Sequence, residues 1–481
     1  MDLRTASVVE LAAQVRAREL SARELTEHAL ARIEALNPTI NAFIALDPDA
    51  ARAQAGAIDE RVARGERVGP LAGIPIGVKD LEAAAGFITT KGSALHAGDA
   101  PATEDSTLVA RLLAAGCVVL GKTNTPEHGW MADTTNPTFG PSRNPWNTDR
   151  TPGGSSGGTA AALAAGMVPL ATGSDGGGSI RIPAALCGLS SLKPSPGRVP
   201  NGGTRAPGSG FLGVKAPMTR RVRDQAYALD AVLGQDPLDP YSLPRPAQRW
   251  YDAVARPGPA PARVPRTVLW APTMGYDVDH EVQRVCEGAV RVLEAAGTEV
   301  ITIDTVFQDD PIMTFLTLWS IMRLRDQGAA FGTDDWERID PGLRDQMLYA
   351  KDHLTTASFA AALDDCYRYS AELATVFEQA PILLSPTVAG QTARVGGHQG
   401  TINGEESLTW VRFTYPFNLT RHPAGSINAG FTDDGMPVGL QVVGRHLADL
   451  DVLVTMAHLE DLLAIDEVGP QSVASASREL T

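Results

Sequence analysis

Apolar residues recur every three to four positions in the first part of the chain, most clearly over residues 25–33. This period is typical of an amphipathic helix with one buried face. Ser21 and Glu24 match a capping box at its start, and Asn37-Pro38 is expected to end it. A second helix is predicted over residues 48–63. We expect these helices to pack against a core and to contribute no chemistry.

Further along, short apolar runs alternate with helical patterns. The runs predict buried strands, which we place at residues 74–78, 117–120, 167–171, 268–270, 299–303, 382–384, 427–431 and 438–443. The helical patterns cover residues 104–116, 159–166, 223–233, 278–296, much of 311–379, and 450–463. The order strand, helix, strand over residues 268–303 predicts a parallel βαβ unit. The alternation favours the α/β class, with a large mixed β-sheet covered by helices on both faces.

The composition of the chain limits the kinds of molecule and environment with which the protein is expected to interact. The 481 residues are 43% hydrophobic and carry a formal net charge of −15. An acidic chain repels phosphate backbones, so we expect no nucleic-acid partner. No apolar run approaches the ~18 residues of a membrane span and no secretory signal is evident, so we expect no membrane association and a cytoplasmic location. The four cysteines form no C-x-x-C pair, as in a protein whose thiols stay reduced.

Two serine clusters flanked by glycines lie within residues 151–183. The first reads G-G-S-S-G-G at residues 153–158, and the second reads G-G-G-S at residues 176–179. A tightly packed helix of small residues and then a buried strand are predicted between them. This order brings both turns to one edge of a sheet, where glycines let backbone N–H groups approach a ligand. No metal and no other cofactor is predicted, because no cluster of His, Asp, Glu or Cys with ligand spacing accompanies the serines.

Together with G-I-P-I-G-V-K-D at residues 73–80, these clusters resemble the amidase signature family of serine hydrolases. The second cluster continues as D-G-G-G-S-I-R-I-P, and further similarity covers residues 120–146, 413–424 and 436–444. The resemblance spans most of the chain and implies the same α/β fold. It predicts one amidase domain over 1–481, made of N-terminal helices (1–65), a catalytic core (66–220), a variable and largely helical substrate-side region (235–380), and C-terminal strands with a helix (381–481).

The resemblance implies catalytic roles for three residues. Ser179 is the expected nucleophile, Ser155 the bridging serine on a cis peptide, and Lys79 the base. A proton then passes from Ser179 through Ser155 to neutral Lys79 and on to the leaving amine. The expected oxyanion hole consists of backbone N–H groups, those of Ser179 and of Gly176, Gly177 and Gly178.

Supporting roles are predicted around this centre. Asp175 and Arg181 bracket the second cluster, and we expect them to pair and fix the loop without a direct chemical role. Ser156 is expected to be a structural donor. Large side chains on segments beside a catalytic edge often line a pocket, although they can equally cover the core. The candidates for the substrate pocket are Trp130, Met131, Trp319 and Tyr367.

The residues around Lys79 leave its charge open. A lysine after an apolar run commonly pairs with a neighbouring carboxylate on a surface loop, here Asp80, and would then stay protonated. A lysine buried among apolar neighbours instead loses its proton near neutral pH and can act as a base.

Three shorter motif matches point to other chemistries. Residues 153–157 also match G-x-S-x-G, the nucleophile elbow of α/β-hydrolases. Candidate bases for Ser155 would then be His398, His422 and His446. Residues 190–193 match the S-x-x-K of penicillin-recognising enzymes, but no K-T-G follows. A phosphate-binding loop is disfavoured because neither glycine cluster contains the lysine it requires.

The predicted function is hydrolysis of the C–N bond of a small or medium acyl or aryl amide through a covalent acyl-enzyme on Ser179. Carbamate (urethane) and ester cleavage are plausible side activities. The family also contains glutamine-hydrolysing components of tRNA-dependent amidotransferases, which are the first alternative. An esterase that uses Ser155 with a histidine is the second, and a scaffold protein with an inactive site is a non-enzymatic third. The resemblance implies a small-molecule substrate and N-terminal helices that can help two protomers pair as a homodimer.

Overall fold

Two sections of mixed β-sheet form the centre of the structure, and helices pack on their faces. The computed structural model describes residues 2–203, 208–255, 264–466 and 469. This arrangement confirms the predicted α/β class. The strands are β1 (Phe43–Leu46), β2 (Pro75–Lys79), β3 (Val118–Thr123), β4 (Leu170–Asp175), β5 (Ser191–Lys193), β6 (Val214–Met218), β7 (Thr267–Trp270), β8 (Glu299–Thr302), β9 (Ile382–Pro386), β10 (Gly400–Ile402), β11 (Glu405–Ser407), β12 (Ala424–Phe431) and β13 (Pro437–Gly444).

The α-helices are distributed along the whole chain. They are α1 (Val8–Ala17), α2 (Ala22–Ile40), α3 (Pro48–Ala63), α4 (Thr107–Ala114), α5 (Gly157–Ala164), α6 (Arg181–Leu186), α7 (Val222–Val232), α8 (Trp250–Val254), α9 (His280–Ala295), α10 (Ile312–Gln327), α11 (Pro341–His353), α12 (Thr356–Val376), α13 (Pro416–Leu419) and α14 (Asp449–Leu463).

The two sheet sections differ in strand direction. The first has the order β1-β3-β2-β4-β6, in which the three central strands are parallel and both edge strands are antiparallel to their neighbours. The second has the order β5-β12-β13-β9-β7-β8, in which β9, β7 and β8 are parallel and the remaining pairs are antiparallel. The strands β7 and β8 and the helix α9 form the predicted parallel βαβ unit.

The facing edges of the two sections, β5 and β6, are joined by a side chain. The amide of Gln225 accepts from Leu192 N–H (2.6 Å) and donates to the carbonyl oxygens of Leu192 (3.2 Å) and Pro217 (2.9 Å). Pro217 has no N–H group that could donate a hydrogen bond to a neighbouring strand. The large sheet expected from the sequence is therefore divided here, because a side chain satisfies backbone groups that a neighbouring strand would otherwise pair.

Helix α2 is longer than the sequence predicts. Its predicted capping box is present, but the helix continues through Pro38 to Ile40 instead of ending at Asn37-Pro38. Ile40 is fully buried, so packing of the last turn offsets the cost of a proline inside a helix. Asn41 ends the helix in the left-handed conformation (φ 53°), which asparagine tolerates better than most residues.

The first sheet section positions the glycine-rich and serine-rich segments for chemistry. Strand β2 ends at Lys79, and the adjacent parallel strand β4 ends at Asp175. Helix α5 begins at Gly157, directly after the two serines of the first cluster, and α6 begins at Arg181, two residues after Ser179. Every residue of α5 is buried, and a Cβ atom at Gly158 would lie 2.4 Å from Asn124 N. Small residues therefore allow α5 to approach the end of β3 closely.

The predicted substrate-side region contains three long helices, α10, α11 and α12, and α10 packs against the other two. This agrees with the helical pattern over residues 311–379. Residues 256–263 of that region and 204–207 of the predicted core lie outside the described residues. None of the described helices is both long and apolar enough to cross a membrane.

Candidate active site

Lys79 lies at the end of β2 with its side chain fully buried. Its Nζ atom is 2.8 Å from Ser155 Oγ, 2.8 Å from Ser156 Oγ and 3.0 Å from Ser174 Oγ. Hydroxyl groups both donate and accept, so they can satisfy a neutral amine as well as a charged one. The amino group is thus surrounded by hydroxyls, and no carboxylate of the described residues is within salt-bridge distance of it.

Burial lowers the pKa of Lys79 to about 7, against the opposing effect of the nearby charges of Asp175 and Glu82. The cause is desolvation, which disfavours the charged form of a buried amine. A lysine with such a pKa exchanges its proton near neutral pH, as a general base must.

Asp80 does not pair with Lys79, which removes the alternative that the sequence left open. Asp80 follows the last residue of β2, and its carboxylate lies beside the amino group of Lys122 from β3. The two charged groups are 3.1 Å apart and both are fully buried. Asp80 also accepts from Thr90 N–H (3.3 Å) and Gly92 N–H (3.4 Å).

The first serine cluster supplies two of the three hydroxyls. The peptide between Gly154 and Ser155 is cis, as the resemblance implies. A Cβ atom at Gly154 would lie 2.7 Å from Met131 O, so this position requires glycine. Ser156 Oγ donates to Ser174 O (3.3 Å) as well as contacting Lys79. The predicted structural donor therefore belongs to the hydrogen-bond network of Lys79.

The second cluster carries Ser179, whose side chain makes no hydrogen bond to the described residues and which remains 8% exposed. The backbone N–H groups of Gly176, Gly177 and Ser179 have no partner among the described residues. The N–H of Gly178 was predicted to belong to the oxyanion hole, but it donates to Asp175 Oδ1 (2.7 Å) instead. Gly178 has φ 132°, which favours glycine. Its role here is to turn the loop, which leaves the other three N–H groups available to a substrate oxygen.

The predicted pair of Asp175 and Arg181 is present and fully buried, with a distance of 2.9 Å. Burial alone would raise the pKa of Asp175, but Arg181 holds it well below its usual range. Arg181 also donates to Thr414 O (2.8 Å), Gln441 Oε1 (2.8 Å) and Asn418 Oδ1 (2.6 Å). This network ties the loop of Ser179 to the second sheet section.

Ser155, Ser174, Gly176 and Ser179 open onto one cleft of about 710 Å³. Charged side chains of both signs line its walls: Glu82, Lys91, Asp99, Lys215, Arg323, Asp326 and Asp335. Ser174, Glu82 and Lys215 are not among the site residues predicted from the sequence. The only local signal for Ser174 is its place in the T-G-S-D end of a buried strand, next to Asp175.

The four predicted pocket residues do not line one cavity, although Trp319 Nε1 donates to Trp130 O (3.3 Å). Trp319 lines the cleft, where its ring stacks on Phe315 (centroids 5.4 Å apart). Tyr367 is 81% exposed and lines a neighbouring groove. Trp130 packs with the cluster around Leu343, because α11 approaches it through Gly342. Met131 is not among the described residues that line either cavity.

The histidines proposed for an α/β-hydrolase mechanism lie elsewhere. His398 pairs with Asp133 (3.1 Å), and His422 Nδ1–H donates to Thr420 O (2.9 Å) beside His446. No described histidine forms a hydrogen bond with Ser155, whose partner is Lys79. Residues 153–157 precede a helix but do not follow a strand, so they lack the strand-turn-helix context of that motif. The S-x-x-K match lies on β5 instead of a helix.

No group of three or more His, Cys, Asp or Glu side chains arranged to hold a metal ion occurs among the described residues. The predicted independence from metal remains to be tested by chelation. The groups that the structure does bring together are a buried amine, three hydroxyls and unpaired backbone N–H groups. These are the components that acyl transfer requires.

Comparison with known proteins identifies the family. The model of the family named Amidase matches residues 24–453. The chain is 37% identical to an acylamidase of Rhodococcus erythropolis, with 94% of each chain covered. It is 36% identical to a glutamyl-tRNA(Gln) amidotransferase subunit from Chloroflexus aggregans, with 90% of this chain and 92% of that protein covered.

A solved structure gives the same result. The crystal structure of a bacterial aryl acylamidase of the amidase signature family superposes with a TM-score of 0.88 at 31% identity, with 98% of both chains covered. The family match, the sequence relatives and the fold agree. The chain therefore belongs to the amidase signature family, and it is a hydrolase that acts on amides.

Proposed function

We propose that the protein hydrolyses the C–N bond of a small or medium acyl or aryl amide through a covalent acyl-enzyme on Ser179. The observation that carries this proposal is the environment of Lys79. Its amino group is fully buried and is surrounded by the hydroxyls of Ser155, Ser156 and Ser174. A neutral amine held by hydroxyls can accept a proton from a serine chain.

The reaction follows from these groups. Ser179 Oγ attacks the amide carbonyl carbon, and its proton passes through Ser155 to Lys79 Nζ. The N–H groups of Gly176, Gly177 and Ser179 stabilise the oxyanion. The C–N bond then breaks as the proton returns to the nitrogen, and the amine leaves. Water attacks the resulting ester of Ser179 by the same proton route, releasing the acid.

The substrate class is supported by the shape of the cavities. The polar cleft shares Asn201, Gly202 and Gly213 with an apolar groove of about 1020 Å³. An amide could place its scissile bond in the cleft and an apolar group in this groove. The relatives named acylamidase and aryl acylamidase favour the same class. Carbamates and esters present an equivalent carbonyl to Ser179, and we include them as side activities.

The decisive experiment is to trap the acyl-enzyme. The purified protein is mixed with a slowly hydrolysed aryl ester or carbamate, quenched, digested and analysed by mass spectrometry. We expect the acyl mass on the peptide that contains Ser179, and no labelling of the Ser179→Ala variant. An acyl group on Ser155 would contradict the proposal and favour the hydrolase-elbow alternative.

A second candidate function is glutamine hydrolysis, which is favoured by the relatives that are glutamyl-tRNA(Gln) amidotransferase subunits. Glutamine carries two charges and no apolar group, so it would leave the apolar groove empty. We therefore expect kcat/KM for an anilide to exceed kcat/KM for glutamine. Turnover of glutamine alone would replace the proposed substrate class, whereas turnover of no amide at all would favour a non-enzymatic scaffold.

A further inference from the structure

Three carboxylates carry charge near Lys79, and each is paired with a different cation. Asp80 pairs with Lys122, and Asp175 pairs with Arg181. Both of these carboxylates also accept from two or more backbone N–H groups. Because several hydrogen bonds would have to break, neither carboxylate can readily turn toward the amino group of Lys79.

The third carboxylate, Glu82, is held by a single contact. Its Oε2 atom lies 2.9 Å from Lys215 Nζ of β6, and its side chain has no other hydrogen-bond partner among the described residues. Glu82 N–H donates to Lys79 O (2.9 Å), which keeps the two residues close. Glu82 and Lys215 line the cleft that contains Ser155 and Ser174, the hydroxyl partners of Lys79.

The charge of Glu82 already acts on the base. Burial lowers the pKa of Lys79, whereas Asp175 and Glu82 raise it. Glu82 is only 2% exposed, so water screens its charge poorly. Lys122 also lies near Glu82, since its Nζ donates to Glu82 O (2.6 Å), but it is already paired with Asp80 (3.1 Å). Without Lys215, this nearly buried carboxylate would therefore gain from pairing with a protonated Lys79. A protonated Lys79 cannot accept the proton of the nucleophile.

We propose that Lys215 is a positioning residue for proton transfer: its ion pair keeps Glu82 from pairing with Lys79, so that Lys79 remains a free base. This inference rests on the proposed role of Lys79 as the base. Lys215 itself need not touch the substrate. No bond is formed or broken at Lys215 or Glu82 during the reaction.

The test compares the pH dependence of kcat/KM for an anilide in the wild type, Lys215→Met and Lys215→Arg. The acidic limb of this profile reports deprotonation of the base in the free enzyme. We expect Lys215→Met to move the limb to higher pH by about one unit, at the lower end of the 1 to 3 units typical of a direct partner. The rate at high pH should be largely retained. Lys215→Arg preserves the cation and should preserve the limb.

The same substitution in a Glu82→Gln variant separates restraint of Glu82 from a direct effect of the Lys215 charge on Lys79. Glu82→Gln removes the carboxylate that Lys215 restrains. In that background, Lys215→Met should move the limb clearly less than it does in the wild type. Equal movement in both backgrounds would mean that Lys215 acts through its own charge, and would overturn the inference. An unmoved limb with an increased KM would assign Lys215 to substrate binding and overturn it as well.

The same experiment distinguishes failure of the inference from failure of the proposed function. Acylation of Ser179 and the activity of Lys79→Ala are measured in parallel. If Ser179 is acylated and Lys79→Ala is inactive, an unmoved limb in Lys215→Met defeats only the inference. If Lys79→Ala retains the wild-type activity and limb, the proposed function fails, and the inference fails with it.

Discussion

Lys79 and Lys193 occupy similar places in the two sections of the sheet. Each is the last residue of a strand, β2 in the first section and β5 in the second. Both are fully buried, and burial lowers the pKa of each to about 7. Lys193 also follows a serine at S-x-x-K spacing. By burial and pKa alone, either lysine would qualify as a general base.

Their hydrogen-bond partners differ. Lys79 Nζ contacts three hydroxyls, two of which belong to residues that line the same cleft as Ser179. Among the described residues, Lys193 Nζ donates only to Pro194 O (3.3 Å), and the hydroxyl of Ser190 donates to Glu460 (2.7 Å). A lowered pKa therefore makes a lysine able to accept a proton. The hydroxyls around it decide whether a nucleophile can supply one.

The largest expected effect is the loss of the nucleophile. Ser179→Ala should reduce kcat/KM for an anilide by at least about 10⁴-fold, and Ser155→Ala by about 10² to 10⁴-fold, because Ser155 only relays the proton. Ser190→Ala, near the other lysine, is the matched control and should stay within about threefold of the wild type. Steady-state rates with circular dichroism check these expectations. If Ser190→Ala is folded but inactive, a hydroxyl near Lys193 is also needed for activity, and the proposed difference between the two lysines is wrong.

The next largest effect separates the two lysines directly. Lys79→Met should lower kcat by about 10² to 10⁴-fold, because the proton of Ser179 then has no acceptor. Lys79→Arg should fail similarly, since arginine does not lose its proton at these pH values. Lys193→Met should retain most of the wild-type rate. Near wild-type turnover by Lys79→Arg would show that a fixed cation suffices and that the proton goes elsewhere.

The wild-type pH profile belongs to the same prediction. Since the pKa of Lys79 is lowered to about 7, activity should rise through neutral pH and level off above it. Lys193 also has a pKa of about 7, so its titration must be excluded. The rise should persist in Lys193→Met. If the rise of activity with pH is lost in Lys193→Met, it reports titration of Lys193 and not of Lys79.

The sequence predicts that Lys79 and the first serine cluster lie together, as the structure shows, because local requirements at these positions are strict. A Cβ atom at Gly154 would collide with Met131 O, and burial of Lys79 follows from the apolar run before it. The partners of Lys79 are harder to predict. Ser174 and Lys215 come from β4 and β6. They face each other in the register that these two strands adopt, and the order of apolar runs along the chain does not indicate which strands are neighbours or how they are aligned.

Two other misses have the same cause. The end of α2 depends on the buried contact of Ile40, which overrides the proline signal. The position of Trp130 depends on α11, more than 200 residues away along the chain, whose Gly342 approaches the indole ring. Local patterns predict the elements themselves, whereas tertiary packing determines where they end and which side chains reach the cleft.

A smaller effect concerns stability. The pKa of Lys193 in the folded protein, about 7, lies below its unfolded value of about 10.5. Between these pH values unfolding takes up a proton, so this lysine makes the free energy of unfolding rise with pH and costs stability at neutral pH. Lys193→Met removes that cost. We expect its Tm to exceed that of the wild type by a few degrees near pH 7, with the difference shrinking toward pH 10.

Thermal unfolding monitored at several pH values checks this expectation. Lys79→Met should behave in the same way, because the pKa of Lys79 is lowered by the same cause. If Lys193→Met were less stable than the wild type at every pH, the amine of Lys193 would stabilise the folded protein, and its burial would not lower the free energy of unfolding.

The smallest effect is expected at the groove, which lies on the side of Lys193. His422 and His446 line this groove, and after burial and other charges Lys193 contributes to lowering the pKa of both. The two imidazoles are therefore neutral near pH 7, which suits an apolar occupant. Tyr367 forms part of the wall and is 81% exposed. If the groove holds the apolar group of the substrate, Tyr367→Ala removes contact area worth roughly 1 kcal/mol.

This loss should appear in selectivity and leave the chemical step intact. We expect Tyr367→Ala to lower the ratio of kcat/KM for a bulky anilide to that for a small aliphatic amide by about 3 to 10-fold. Met131→Ala is the matched control, because the described lining of the cleft and groove does not include Met131. It should leave the ratio unchanged. If the ratio changes equally in both variants, or does not change in Tyr367→Ala, the apolar group of the substrate binds outside the groove. Substrate binding would then be confined to the cleft that contains Ser179.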